Sequence, residues 1–200
     1  MRKVGKVVGN AIPLNRANVD TDQIIPAKHL KRIERTGYGP FAFEAWREDP
    51  DFVLNDPAYK GAKLLISRHN FGSGSSREHA VWAIEGLGVE ALIAPSFADI
   101  FKNNCMKVGL LTVELPEEDV DYLLARSEEL PESQIEVDLD SQTVRTNDGA
   151  WERHFEISPF ARWRLMNGFD DIGMTLAYEP DIAAFEEQRS DLLPLTEAAD

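Results

Sequence analysis

Residues 62–94 read AKLLISRHNFGSGSSREHAVWAIEGLGVEALIA, and their pattern decides the fold. AKLLIS (62–67) is a short apolar run of the length of a strand buried on both faces. It feeds into a glycine-rich bend, after which REHAVWAIEGLG sets Ala80, Ala83, Ile84 and Leu87 on one face of a helix. Gly86 and Gly88 are placed to end that helix, and VEALIA (89–94) is a second apolar run. Strand, tight loop, helix and strand predict a βαβ unit with a parallel pair and a right-handed crossover.

Outward from this unit the chain keeps the same character. On the N-terminal side, KVGKVVGNAIPL (3–14) reads as one or two strands. A polar loop (15–39) follows, with Asp20 and Asp22 flanking Thr21 and a short basic helix expected over Lys28–Arg35. FAFEAWRED (41–49) is a short helix or turn. On the C-terminal side, PSFADIFKNNCMKVG (95–109) predicts a helix opened by Ser96 and closed by Gly109, and LLTVEL (110–115) a strand. PEEDVDYLLARSEE (116–129) has Pro at its first position and acids in its first turn, both helix-start features. SQIEVDLDSQTVRTNDG (133–149) predicts a hairpin, and SPFARWRLMNG (158–168) and EPDIAAFEEQR (179–189) predict helices. The expectation is one α/β domain over residues 1–188 and a flexible tail over 189–200.

Composition narrows the function classes. A 200-residue chain can bury a proper core, and 43% hydrophobic with 28% charged residues is the balance of a globular protein rather than a disordered one. The net charge of −14, concentrated in residues 113–140, argues against nucleic-acid binding, which needs cationic surface. No apolar run reaches the length of a membrane span and no signal-peptide pattern is visible, so the expected compartment is the cytoplasm. The single cysteine, Cys105, excludes an internal disulfide framework and cannot by itself hold an iron–sulfur cluster or a structural zinc. His29, His69, His79 and His154 have no metal-ligand spacing, and none is expected to bind a metal.

Three chemistries are conceivable for the bend FGSGSSREHA (71–80). A phosphate-binding P-loop needs Lys and then Ser or Thr after its second glycine, whereas Gly74 is followed by Ser75, Ser76 and Arg77. Arg77 also stands where a dinucleotide fingerprint has its third glycine, and no serine has the flanking glycines of a nucleophile elbow. Ser75-Ser76-Arg77-Glu78 does fit a capping box, in which Ser75 would stabilise the helix by about 1 kcal/mol and do no chemistry. The competing reading is an anion seat. A glycine-rich turn at a helix start points N–H groups and partial positive charge outward, and Arg77 could add a bidentate carboxylate contact. A serine hydroxyl in that field is easier to deprotonate, which suits an anionic substrate and a serine that moves a proton.

NFGSGSSREHA, with NVDTDQIIPAKHL, IAPSFADIFKNNC and GLLTVEL, closely resembles the small subunits of 3-isopropylmalate dehydratase, in the aconitase superfamily, from about Val4 to about Tyr178. The resemblance implies the swivelling β/β/α domain found as the C-terminal domain of aconitase. It implies a hydro-lyase of leucine biosynthesis that interconverts 2- and 3-isopropylmalate through 2-isopropylmaleate. The 4Fe-4S cluster of such enzymes would lie on a separate large subunit, because this chain lacks the cysteines, and Cys105 would be a buried structural thiol.

By the same resemblance Ser75 is the base that removes the Cα proton, and Ser76, Arg77 and the N–H groups around Gly74 hold a substrate carboxylate. Asp22 lines the cleft and orients a histidine of the partner domain. A further substrate-binding arginine is expected at Arg32, with Arg35 as the other candidate, and the loop Ile25–Gly39 would set substrate specificity. Two alternatives stay open: the small subunit of a homoaconitase- or dimethylmalate-type hydro-lyase, and a non-catalytic anion-binding module.

Overall fold

The computed structural model describes residues 1–176 and 178–188; the expected tail over 189–200 lies outside them. In chain order the elements are β1 (Lys6–Gly9), β2 (Ala11–Leu14), α1 (Thr21–Ile24), β3 (Leu64–Ser67), α2 (Glu78–Gly86), β4 (Ala91–Ala94), α3 (Asp99–Val108) and β5 (Leu111–Glu114). There follow α4 (Glu117–Glu129), β6 (Ile135–Asp138), β7 (Thr143–Thr146), β8 (Glu152–His154), α5 (Pro159–Asn167), α6 (Asp171–Leu176) and α7 (Glu179–Glu187). Short 3-10 turns fill the segment between α1 and β3.

The strands form a parallel sheet of order β2-β3-β4-β5 and an antiparallel sheet of order β1-β6-β7-β8. In the parallel sheet, β3 and β4 are buried at every residue, which is why they read as unbroken apolar runs. Leu65, Leu92 and Ala94 face one core with α2 and α3, while Leu64, Ile66, Ala91 and Ile93 face a second core with α4 and the antiparallel strands. Each fully buried Leu or Ile contributes about 2 kcal/mol relative to leaving it in water. Pro13 sits in β2, an edge strand, where the missing N–H leaves no gap in the ladder. In β6, Ile135 and Val137 point inward while Glu136 and Asp138 point out to Lys6 of β1, at 2.9 and 3.1 Å.

The βαβ unit β3-α2-β4 and the hairpin β6-β7 stand where the sequence placed them. Four local expectations need correction. Ser75 does not cap α2: the helix begins at Glu78 behind an extended Arg77 (φ −138°, ψ 108°), which puts Ser75 two residues too early. Ser96 does not open α3; its Oγ accepts the N–H of Asn70 instead, and Ala98 precedes the helix. Pro116 stands just outside α4 rather than at its first position. The basic helix expected over Lys28–Arg35 is a 3-10 turn over Ala27–Lys31, ending before Arg32. β8 and α6 were not foreseen: ERH is exposed throughout and has no apolar alternation, and α6 buries no side chain.

Candidate active site

Three loops leave the carboxyl ends of parallel strands on one side of the sheet: 15–20 after β2, 68–77 after β3 and 95–98 after β4. Ligands of open parallel sheets bind at this edge, because the helices that follow aim their N-termini at it. Isolated bridges between Asp20 and Ser73 and between Phe71 and Phe97 prolong the β2-β3 and β3-β4 pairings into the loops. The bend is therefore fixed on both sides before it reaches the serines.

The bend is shaped by its glycines and by Thr21. Gly72 has φ +78°, and a Cβ there would lie 2.1 Å from the Phe101 ring, so only glycine lets the backbone cross α3 so closely. The N–H groups of Gly72 and Ser73 donate to the Val19 carbonyl at 2.7 and 3.2 Å. Thr21 is 2% exposed; its N–H donates to the Ser73 carbonyl and its Oγ1 to the Ser75 carbonyl, both at 2.9 Å. With the carbonyls tied behind, the N–H groups of Gly74, Ser75, Ser76 and Arg77 have no backbone acceptor among the described residues. The helix cap sought at Ser75 exists at α1: Asp20 accepts the Gln23 N–H at 2.8 Å and the Gln23 side chain accepts the Asp20 N–H at 2.9 Å.

An open cavity of about 250 Å³ lies in front of the bend, large enough for a small organic acid. It is lined by Gly74, Ser75, Ser76 and Arg77 of the bend, by Asp99 to Phe101 in the first turn of α3, and by Thr21 and Asn104. The N-termini of α2 and α3, neither carrying a side-chain cap, thus converge on one space. That convergence favours an anion. Ser75 and Ser76 are exposed at the mouth. Behind them His79 packs against Trp82 (4.7 Å) and edge-on to Tyr38 (5.4 Å), and burial pushes its imidazole below the ordinary histidine range.

Of the residues singled out from the sequence, Gly74, Ser75, Ser76 and Arg77 come together at this cavity. Asp22 is joined to it through Arg77, whose Nη1 and Nη2 donate to the two Asp22 carboxylate oxygens at 2.5 and 2.9 Å. Arg32 does not line the cavity; its guanidinium lies over the rings of Phe41 and Tyr38, at 5.1 and 5.3 Å. Cys105, on the core face of α3, is fully buried, and burial pushes its thiol well above the ordinary range. Thr21 and Asn104 were missed as site residues. The DTD triplet held the signal for Thr21, a hydroxyl between two loop aspartates, whereas nothing in KNNC distinguishes Asn104 from Asn103. Among the described residues no group of three or more His, Cys, Asp or Glu could hold a metal ion, so an iron–sulfur cluster does not fit this chain's own donors. Among them, too, no helix is long and apolar enough to cross a membrane.

The fold is that of a domain of the aconitase type. Residues 1–118 match the family model of the aconitase C-terminal domain, and residues 171–194 match that of the C-terminal domain of the 3-isopropylmalate dehydratase small subunit. A 3-isopropylmalate dehydratase small subunit of Rubrobacter xylanophilus is 58% identical over 97% of this chain and 98% of its own length. One from Parafrankia is 53% identical over 94% of this chain and 95% of its own. The crystal structure of a Methanocaldococcus jannaschii 3-isopropylmalate dehydratase (leuD) superposes with a TM-score of 0.65 at 24% identity, covering 90% of this chain and 98% of that one, which supports the fold. The chain belongs to the family of 3-isopropylmalate dehydratase small subunits.

Proposed function

We propose that this chain is the small subunit of a 3-isopropylmalate dehydratase, a hydro-lyase of leucine biosynthesis, and that it carries the proton-transfer and carboxylate-binding face of a shared site. One observation carries the reading: exposed Ser75 and Ser76 stand beside Arg77 where two uncapped helix N-termini converge.

In the proposed reaction one substrate carboxylate sits against the N–H groups around Gly74, the Ser76 hydroxyl and Arg77. The fixed positive field lowers the cost of charge on the Ser75 Oγ and on the carboxylate as it takes up aci character. Ser75 reacts as the alkoxide, having given its own proton to solvent, and its Oγ takes the proton from the carbon α to that carboxylate. The C–H electron pair becomes the new C=C bond as the neighbouring C–O bond breaks and hydroxide leaves, giving 2-isopropylmaleate. Returning the proton and hydroxide to exchanged carbons completes the isomerisation. Departure of the hydroxide is assigned to the large subunit, where we also place the 4Fe-4S cluster, and we place the assembled enzyme in the cytoplasm. Asp22 holds the Arg77 fork until substrate arrives, and Arg32, on the loop Ile25–Gly39, is assigned to the side of the substrate away from the serines.

The test is reconstitution with an iron-loaded large subunit under anaerobic conditions, assaying each candidate diacid. Isomerisation of 2-isopropylmalate by the mixture, and by neither chain alone, is the expected result. Preference for homoaconitate or dimethylmalate would move the assignment to a sister hydro-lyase, and inactivity on every diacid would overturn it.

A further inference from the structure

Asn104 stands out among the polar groups of the cavity. It lies on α3 one turn beyond Ile100 and Phe101, two of the residues that line the cavity, and is itself part of the lining. The residue is 6% exposed and lines the cavity, and its amide atoms are not among the fully sealed polar atoms without a partner in the described residues. A mostly buried amide at a cavity wall is a ready hydrogen-bonding partner for whatever enters the cavity.

We propose that Asn104 is a substrate-binding residue, its Nδ2–H donating to the carboxylate held between the N-termini of α2 and α3. The proposal rests on the cavity being the dicarboxylate site. Backbone N–H groups and Arg77 approach that carboxylate from the bend, and Asn104 approaches from α3. A neutral donor suits this position, since it adds a hydrogen bond to the bound anion without burying a second charge. Asn104 therefore fixes how deep the carboxylate sits and, through that, how the Cα proton meets Ser75.

The experiment uses the reconstituted holoenzyme with two variants, reading KM, kcat, the inhibition constant of malonate and the thermal midpoint. Asn104→Leu keeps the approximate shape and deletes the donor, so KM and the malonate constant rise about tenfold. Asn104→Asp is isosteric and turns the donor into a second anion, so both rise about a hundredfold. In Asn104→Leu the midpoint stays level, because the donor removed serves the ligand and not the fold. Should Asn104→Asp fail to assemble, Asn104→Leu carries the test alone. Unchanged KM and malonate constants with a lowered midpoint would make Asn104 a structural amide and overturn the proposal. Wild-type enzyme with no turnover on any diacid would instead overturn the function it rests on.

Discussion

The Arg77 guanidinium is held end-on by the Asp22 carboxylate, two N–H groups to two oxygens at 2.5 and 2.9 Å, with Nη1 also reaching the Ile25 carbonyl at 3.4 Å. Arg77 is 13% exposed and Asp22 58%, so the cation is embedded and its partner faces solvent. The planar fork is thus oriented before any substrate binds. Arg77→Lys keeps the charge but loses the fork. In the reconstituted enzyme the expected effect is a rise in KM of about tenfold or more, with the thermal midpoint shifted by only a few degrees, since half-exposed ion pairs contribute little stability. Steady-state kinetics with a parallel melt checks both, and an unchanged KM would remove Arg77 from the carboxylate site.

Gly72 is the position where backbone geometry and packing meet. Its φ of +78° and the Phe101 ring 2.1 Å from a would-be Cβ both oppose any side chain. Gly72→Ala should destabilise the fold by about 2–4 kcal/mol, read as a lower urea midpoint with an unchanged slope. Phe101→Ala removes the clash but not the backbone strain. The double variant should therefore recover part, and not all, of the loss, leaving a measurable coupling between the sites.

His79 gives the fold a pH dependence of definite sign. Burial holds its folded-state pKa below the ordinary 6.5, with Arg77 adding to the shift and Glu78 opposing it. The unfolded chain therefore binds the proton more readily, and stability from this group is complete above 6.5 and lost as pH falls through 6.5 towards the lower folded value. Urea midpoints at about pH 7.5 and about pH 5 should fall for the wild type and fall less for His79→Gln, which does not titrate there. An equal drop in both would assign the dependence to other groups.

Much of the scaffold was legible because its signals are local. LLIS and ALIA are apolar at nearly every residue because both faces of the parallel sheet are covered, and Gly109 and Gly168 end α3 and α5 at φ +88° and +70° as their positions suggested. The site was legible only in part. Ser75 through Glu78 has the spacing of a capping box, but spacing does not reveal that Thr21, 54 residues earlier, ties the Ser75 carbonyl and delays the helix to Glu78. The real box, Asp20 to Gln23, went unread because the helix it caps is only four residues long. Nor did the sequence signal that the Arg32 guanidinium would lie over the rings of Tyr38 and Phe41, contacts made by residues six and nine positions further on.

Those two caps yield a paired stability prediction. Asp20→Ala removes a side-chain acceptor at 2.8 Å and should cost about 1 kcal/mol. Ser75→Ala removes no cap, and its midpoint in urea should stay within about 0.5 kcal/mol of the wild type. A larger loss at Ser75 than at Asp20 would restore the capping role to Ser75.

The same Ser75→Ala variant tests the central claim most directly. Assembled with the large subunit and assayed on 2-isopropylmalate, it should lose at least about a hundredfold in kcat while binding substrate and melting like the wild type. A kcat within about threefold of the wild type, in an assembled and folded enzyme, would contradict the assignment of Ser75 as the group that takes the proton.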